Sequence, residues 1–110
     1  MSVLIKTGAV IDDISVQKYF HNLVNLFFKI LPMRESNESS LIVYMENLRD
    51  ELLGCQELLP VIKSDPRFLS LVFTLQWMID RPQCPVSVVR GKVFRSISIC
   101  KKIEESFAER

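Results

Sequence analysis

The chain has little of what most enzymes and metalloproteins require. It contains one histidine and three cysteines, and no two cysteines have CxxC spacing. Glycine-rich phosphate loops and the GxSxG and HExxH motifs are absent from the sequence. A structural zinc site needs four suitably spaced ligands, which these residues do not supply. We therefore predict that the chain is not an enzyme, and we expect no catalytic residue, metal or cofactor.

Strong charge and long hydrophobic runs are lacking as well. The formal net charge is +1, so no global field attracts nucleic acid or an anionic membrane. No uncharged run reaches the roughly 18–20 residues of a membrane-spanning helix, and the N-terminus does not read as a signal peptide. These absences predict a cytoplasmic protein without membrane contact. Its three cysteines, Cys55, Cys84 and Cys100, are then expected to be free thiols.

Glycine is also scarce, which favours helices over turn-rich β structure. Only three glycines occur, and the five prolines fall mostly between apolar segments. Hydrophobic residues make up 48% of the chain and charged residues 25%, which are ordinary values for a globular protein. The length of 110 residues predicts a single domain, residues 1–110.

The hydrophobic periodicity predicts an all-α fold, namely a four-helix antiparallel bundle. The four helices are expected at about 13–31, 40–59, 66–80 and 86–108. Residues 1–11 are β-prone and predict a short extended N-terminal arm. This segment reads equally as a strand, an extended arm or a partly disordered tail. Because a lone strand needs a partner, an ordered arm is expected to lie along the helices or to pair across a dimer.

Helix-start and helix-stop residues set these bounds. Asp12 or Asp13 is expected to cap the first helix, because a carboxylate accepts hydrogen bonds from the unpaired N–H groups of the first turn. Pro32 is expected to end that helix. Ser39 or Ser40 is the natural cap of the second helix. Along the second helix, apolar residues follow a 4-3-4-3-4 spacing that predicts a buried seam: Leu41, Met45, Leu48, Leu52, Cys55 and Leu59.

The third helix is the most unusual segment of the chain. Residues 68–79 form twelve consecutive positions without a charge, between the start signal Asp65-Pro66 and the stop signal Asp80-Arg81-Pro82. Wound as a helix, the segment is apolar on nearly every side. Either the other three helices enclose it or the chain dimerises through it. We predict a homodimer, since the first helix also has a wider apolar arc than one packing partner requires.

Surplus apolar surface on a small scaffold without chemistry favours a protein-interaction role. We predict an adaptor, anti-activator or chaperone-like regulator that binds and occludes an unidentified protein partner. For Trp77, a position in the core is the alternative to an interface position. For Ile42 and Leu53, the alternative is packing at the edge of the bundle. The residues predicted at the partner or dimer interface are Phe27, Phe28, Phe73, Trp77, Ile42 and Leu53.

A basic face on the last helix gives the main alternative. Residues 1–80 contain seven basic and ten acidic side chains, whereas residues 81–110 contain seven basic and three acidic. The candidates for contact with an anionic partner are Arg90, Arg95, Lys101 and Lys102. Three interpretations stay open for them: a solvated helix face, a nucleic-acid-associated subunit, or contact with an acidic protein.

The remaining titratable residues have ordinary explanations. His21 lies on the polar strip of the first helix and is interpreted as a surface histidine. Glu104 and Glu105 follow Lys101 and Lys102 at helical spacing, so ion pairs along the helix are expected there. None of these residues predicts a catalytic group.

Overall fold

The computed structural model describes residues 2–6 and 8–109, and it is mostly helical. The all-α class is therefore confirmed. Met1, Thr7 and Arg110 lie outside the described residues, and the predicted arm and domain include them. The elements in chain order are β1 Ser2–Leu4, β2 Val10–Asp12, α1 Asp13–Phe28, α2 Ile30–Glu35, α3 Leu41–Leu58, α4 Pro60–Lys63, α5 Pro66–Asp80 and α6 Val86–Ala108.

Two helices begin at carboxylate caps. The Ser15 N–H donates to Asp12 Oδ1 at 2.7 Å, and the Arg67 N–H donates to Asp65 Oδ1 at 2.8 Å. The Arg67 guanidinium also bonds to Asp65, and these hydrogen bonds favour the ionised carboxylate, so the pKa of Asp65 is lowered. The expected serine cap of α3 is different, because the Ser40 side chain makes no capping hydrogen bond.

The prediction that Pro32 ends the first helix is wrong. The helix breaks earlier, with α1 ending at Phe28 and Lys29 in a turn, and Pro32 lies inside α2. Proline has no N–H to donate to the carbonyl four residues before it, and its ring crowds that carbonyl. The carbonyl in question belongs to Phe28. The disturbance thus falls one turn upstream of the proline, and the chain then resumes a helical course.

The N-terminal segment forms an antiparallel hairpin. Its register pairs Val3 with Ile11 and Leu4 with Val10. Gly8 has φ +89° in the connection, a backbone conformation that glycine adopts without steric cost. The two strands in the described part of this segment therefore pair with each other. This differs from the expectation that an ordered arm would lie along the helices or pair across a dimer.

The hairpin docks on the end of α3. The Lys6 N–H donates to the Leu58 carbonyl at 2.7 Å, and Val3 is buried. Side chains alternate across a strand, so Leu4 and Val10 point the other way, and both are exposed. One face of the hairpin thus joins the core while the other presents apolar side chains to solvent.

The core lies between the long helices. α1 packs on α6, α6 packs on α5, and α5 packs on α3. Phe20 of α1 lies at the junction of three helices: its ring centroid is 6.0 Å from Phe68 of α5, edge to face, and 6.4 Å from Phe107 of α6, stacked. The Tyr44 hydroxyl donates to the Leu26 carbonyl at 2.6 Å and so connects α3 to α1.

The predicted seam of α3 is buried throughout. A helix with one apolar stripe packs that stripe inward and leaves its charged residues in water. The result is a bundle measuring 42 × 24 × 20 Å, slightly longer than α6, whose 23 residues span roughly 34 Å. The buried seam residues are Leu41, Met45, Leu48, Leu52, Cys55 and Leu59.

Candidate interaction surface

One face of α5 remains outside the core and is without charge. Phe68, Leu71, Leu75 and Met78 are buried and set the inner side of this helix. The opposite side, together with Lys92 of α6, lines a shallow groove of about 410 Å³. We define the α5 outer face as the residues that α5 contributes to this groove: Pro66, Leu69, Ser70, Phe73, Thr74 and Trp77.

Phe73 is the centre of the α5 outer face. Its side chain is 69% exposed, the highest value among the large hydrophobic residues that the structure describes. Leu69 and Trp77 lie one turn before and one turn after it, and residues four apart are neighbours on a helix surface. The three side chains therefore form a continuous apolar row in which Leu69 and Trp77 are partly buried.

Two cations hold Trp77 in place. The Arg81 guanidinium carbon and the Lys92 Nζ each lie 4.5 Å from an indole ring centroid. Such cation–π contacts are worth about 0.5–1 kcal/mol each at exposed sites. Because Lys92 belongs to α6, this contact fixes the indole against the neighbouring helix. Trp77 is thus a partly buried boundary residue, between the two predicted alternatives of core and free surface.

A second apolar site lies on α1 and α6. Phe28 and Phe94 meet edge to face with ring centroids 6.2 Å apart, and both are about half exposed. Phe27, which was predicted beside Phe28 at the interface, is instead 0% exposed. The prediction for Phe27 is wrong because this side of α1 packs into the core. Among its apolar neighbours on α1, Val24 and Leu26 are partly buried and Phe28 is exposed.

Ile42 and Leu53 do not join either site. Both are exposed on α3 at 38% and 41%, and their spacing of eleven residues places them on one stripe of the helix. The charged residues Glu46 and Arg49 lie between them on that stripe, and Arg49 bonds to Gln76 of α5 at 2.9 Å. Isolated exposed apolar residues are normal on soluble proteins, so these two do not form a continuous patch.

Four basic residues of α6 are exposed, whereas Lys92 is partly buried. Arg90, Arg95, Lys101 and Lys102 have no ion pair among the residues that the structure describes. At 100° per residue, Arg90 and Lys101 form one row along the helix, and Arg95 and Lys102 form another about 120° away. Glu105 lies between the rows. The four cations therefore line two edges of the exposed side rather than one dense patch.

Among the residues that the structure describes, the expected ion pairs between lysine and glutamate on α6 are not formed. Glu104 Oε1 instead lies 3.6 Å from Nδ1 of His21 on α1, and His21 is exposed. Lys101 and Lys102 extend into solvent on a different side of the helix. This arrangement leaves the cations of α6 uncompensated by their own helix.

Two of the three thiols are poorly placed for nucleophilic chemistry. Cys55 and Cys100 are buried, and burial raises the pKa of Cys55 to about 11 and that of Cys100 to about 12. Both are therefore protonated at neutral pH, whereas nucleophilic cysteines depend on the thiolate. Cys84 is partly exposed. Within residues 2–6 and 8–109, no group of three or more histidine, cysteine or acidic side chains could hold a metal ion.

Sequence reasoning missed the exposed apolar face of the hairpin. Leu4 and Val10 face each other across the register and are both more than half exposed. The alternation within each strand could have indicated this face, but only once the two strands were paired with each other. The role of Lys92 beside Trp77 was missed as well, because it depends on how α5 and α6 pack.

Comparison with protein-family models, curated proteins and solved structures found no match. Among the described residues, no helix is long and apolar enough to cross a membrane.

Proposed function

We propose that this protein is a protein-interaction module that covers a partner through the α5 outer face. The observation that supports this most is the exposure of Phe73 at the centre of an uncharged helical face. Contiguous apolar patches on soluble proteins mark interfaces more often than solitary residues do. The proposed role is binding and occlusion, as in an adaptor, an anti-activator or a chaperone-like regulator, rather than catalysis.

A rigid scaffold is part of this proposal. α1, α3, α5 and α6 would act as one antiparallel four-helix bundle, with the N-terminal hairpin as a short arm at one end. The contacts of α1 with α6, α6 with α5 and α5 with α3 support this arrangement. A helix held on its inner side by two neighbours presents its outer residues with little further loss of conformational entropy on binding.

A second copy of the chain is proposed to cover the α5 outer face when no other partner is bound. Aromatic side chains bury about 150–250 Å² each, so covering the exposed part of Phe73 contributes about 3 kcal/mol at 25 cal/mol per Å². That corresponds to on the order of a hundredfold in affinity. In an isologous dimer the same residue contributes from both subunits.

The test compares the same substitution at two exposed phenylalanines. We expect the unaltered chain to be a dimer at micromolar concentration in sedimentation velocity, Phe73→Ser to be monomeric, and Phe28→Ser to remain dimeric. Circular dichroism should be unchanged in both variants, because neither ring lies in the core. A chain that sediments as a monomer at every concentration would rule out the homodimer.

The partner itself is tested by affinity capture from the source cells. A reproducible protein should be retained by the unaltered chain and by Phe28→Ser, and lost with Phe73→Ser. If the same proteins are retained by all three chains, the α5 outer face does not bind them. The proposal of an occluding module through this face would then be wrong.

A nucleic-acid-associated role through α6 is the second candidate. It is favoured by the absence of any ion pair at Arg90, Arg95, Lys101 and Lys102 within the described part of the chain. This candidate expects binding to mixed-sequence RNA or DNA that weakens steeply as salt rises. The double change Arg90→Glu/Lys101→Glu should abolish that binding, whereas Phe73→Ser should leave it intact. Undetectable binding at low salt would exclude this candidate.

A further inference from the structure

A cavity at one end of the bundle combines apolar walls with a guanidinium. It has a volume of about 270 Å³ and lies where α2, the start of α3, the end of α5 and the α5–α6 connection meet. We call it the end cavity. Its deeper wall includes Met45, Met78 and Val89, all of which are buried. Ile42 lies at the wall too and is exposed. It is distinct from the α5 outer face, with which it shares no residue.

Arg34 lines the end cavity and carries unused hydrogen-bonding capacity. One of its terminal nitrogens donates to Asn37 Oδ1 at 2.9 Å and the other donates to the Cys84 carbonyl at 3.0 Å. Its Nε is buried and has no hydrogen-bond partner in the described part of the chain, so the capacity open to a bound group is the second N–H of each terminal nitrogen. A guanidinium has five N–H donors, and leaving a buried donor unpaired is costly. The structure shows no carboxylate within ion-pair distance of Arg34 among residues 2–6 and 8–109.

The surrounding backbone positions this guanidinium. Asn37 has φ 51°, a left-handed conformation in which asparagine is one of the few tolerated side chains. The Asn37 N–H donates to the Arg34 carbonyl and the Glu38 N–H donates to the Met33 carbonyl, which closes the end of α2. This closure places the Asn37 amide against Arg34. The guanidinium is therefore held between two neutral acceptors, with its charge uncompensated.

The charges around the end cavity favour an anion. Arg34 and Arg81 both line it, and Glu38 is the one acidic residue among its lining side chains. Glu38 is exposed and has no ion pair within the described range. Arg81 also contacts Trp77, whereas each terminal nitrogen of Arg34 keeps one N–H that a bound group could use. A carboxylate suits a guanidinium because two parallel N–H donors match its two oxygens.

We propose that the end cavity binds a small monocarboxylic acid with an apolar chain. The carboxylate would accept hydrogen bonds from Arg34, and the chain would lie against Met45, Met78 and Val89. One water occupies roughly 30 Å³ in the liquid, so the end cavity has room for on the order of ten non-hydrogen atoms. This size is just below the usual range for ligand pockets, which is about 300–1,000 Å³. A medium-chain fatty acid meets both the size and the polarity.

The experiment uses the full chain and three probes of defined chemistry. Octanoate, kept below its micelle concentration, is titrated into the protein and followed by isothermal calorimetry and by NMR shifts. 1-Octanol tests the apolar chain without the charge, and inorganic phosphate tests the charge without the chain. We expect saturable binding of octanoate with shifts at the end cavity, and at least tenfold weaker binding of the other two probes. Equal binding of octanoate and 1-octanol, or of octanoate and phosphate, would overturn the proposal.

Two variants locate the site independently. Arg34→Gln should weaken octanoate binding at least tenfold, and Ile42→Trp should block the end cavity while leaving Arg34 unchanged. The second variant decides the matter if the first does not fold. Val61→Trp serves as the matched control, because Val61 is exposed on α4 and does not line the end cavity, and it should bind octanoate as the unaltered chain does. Unchanged binding in Ile42→Trp would overturn the proposal whatever the fate of the α5 outer face.

Discussion

Replacing Phe20 with alanine is expected to lower the free energy of unfolding by about 3–5 kcal/mol, the usual cost of truncating a fully buried phenylalanine. Phe20 is 0% exposed and contacts Phe68 and Phe107. Removing the ring leaves a cavity at the junction of α1, α5 and α6. The three helices are packed on one another, so they cannot all move inward to fill this cavity. Such a loss is a large part of the total stability of a small domain. Urea unfolding followed by circular dichroism measures it directly.

The control for this change is Phe20→Leu. Leucine keeps an apolar side chain at the junction and leaves a smaller cavity, so it is expected to cost less than alanine. The m-value should stay the same in both variants if only the native state has been altered. A cost below about 1 kcal/mol for Phe20→Ala would contradict the packing described here, since that is the range of surface changes and well-tolerated swaps.

The adjacent residues Phe27 and Phe28 are expected to differ sharply in their contribution to stability. Phe27→Ala is expected to cost about 3–5 kcal/mol, because Phe27 is 0% exposed. Phe28→Ala is expected to cost less than about 1 kcal/mol, because Phe28 is 51% exposed and its main ring contact is the exposed Phe94. Paired urea titrations of the two variants give the comparison. Similar costs at the two positions would mean that α1 is rotated about its axis relative to the structure.

The residues that signal helix starts and stops on each side of α5 predict the helix bounds well. Asp65-Pro66 supplies both a cap and a first helical residue, and α5 begins at Pro66. Pro82 and Pro85 bracket the connection to α6, which begins at Val86. These signals act within a few residues of themselves, so one sequence is enough to interpret them. The seam of α3 was equally readable, because a strict period identifies a buried stripe without knowledge of what covers it.

The features that the sequence predicted wrongly or not at all depend on residues outside the local segment. Pro32 predicts the end of its helix, but its physical effect falls on the carbonyl of Phe28, one turn earlier. Phe27 and Phe28 are both apolar and adjacent, and only the direction of α6 across α1 decides which of them is covered. The pairing of Leu4 with Val10 depends on a turn that includes Gly8. None of these outcomes follows from local composition.

The two candidate sites also differ in how well the sequence alone could predict them. Phe73 and Trp77 could be named from sequence because an uncharged helix in so short a chain must be covered by protein on most sides. The end cavity could not, because Arg34, Arg81 and Met45 come from three separate segments. In sequence, Arg34 opens a polar stretch that resembles an ordinary loop. Its role as an anion-binding candidate depends on the lack of a nearby carboxylate in the described part of the chain. This lack becomes apparent only in the folded structure, where the helix ends come together.

The position of Trp77 gives this molecule an optical reporter of its own. It is the only tryptophan in the chain, so the intrinsic indole emission comes from one place on the surface. That place adjoins Phe73 on one side and the cations of Arg81 and Lys92 on the other. Arg81 also lines the end cavity. The intrinsic fluorophore therefore lies next to both proposed binding sites. The wavelength and intensity of its emission can be followed without adding a dye.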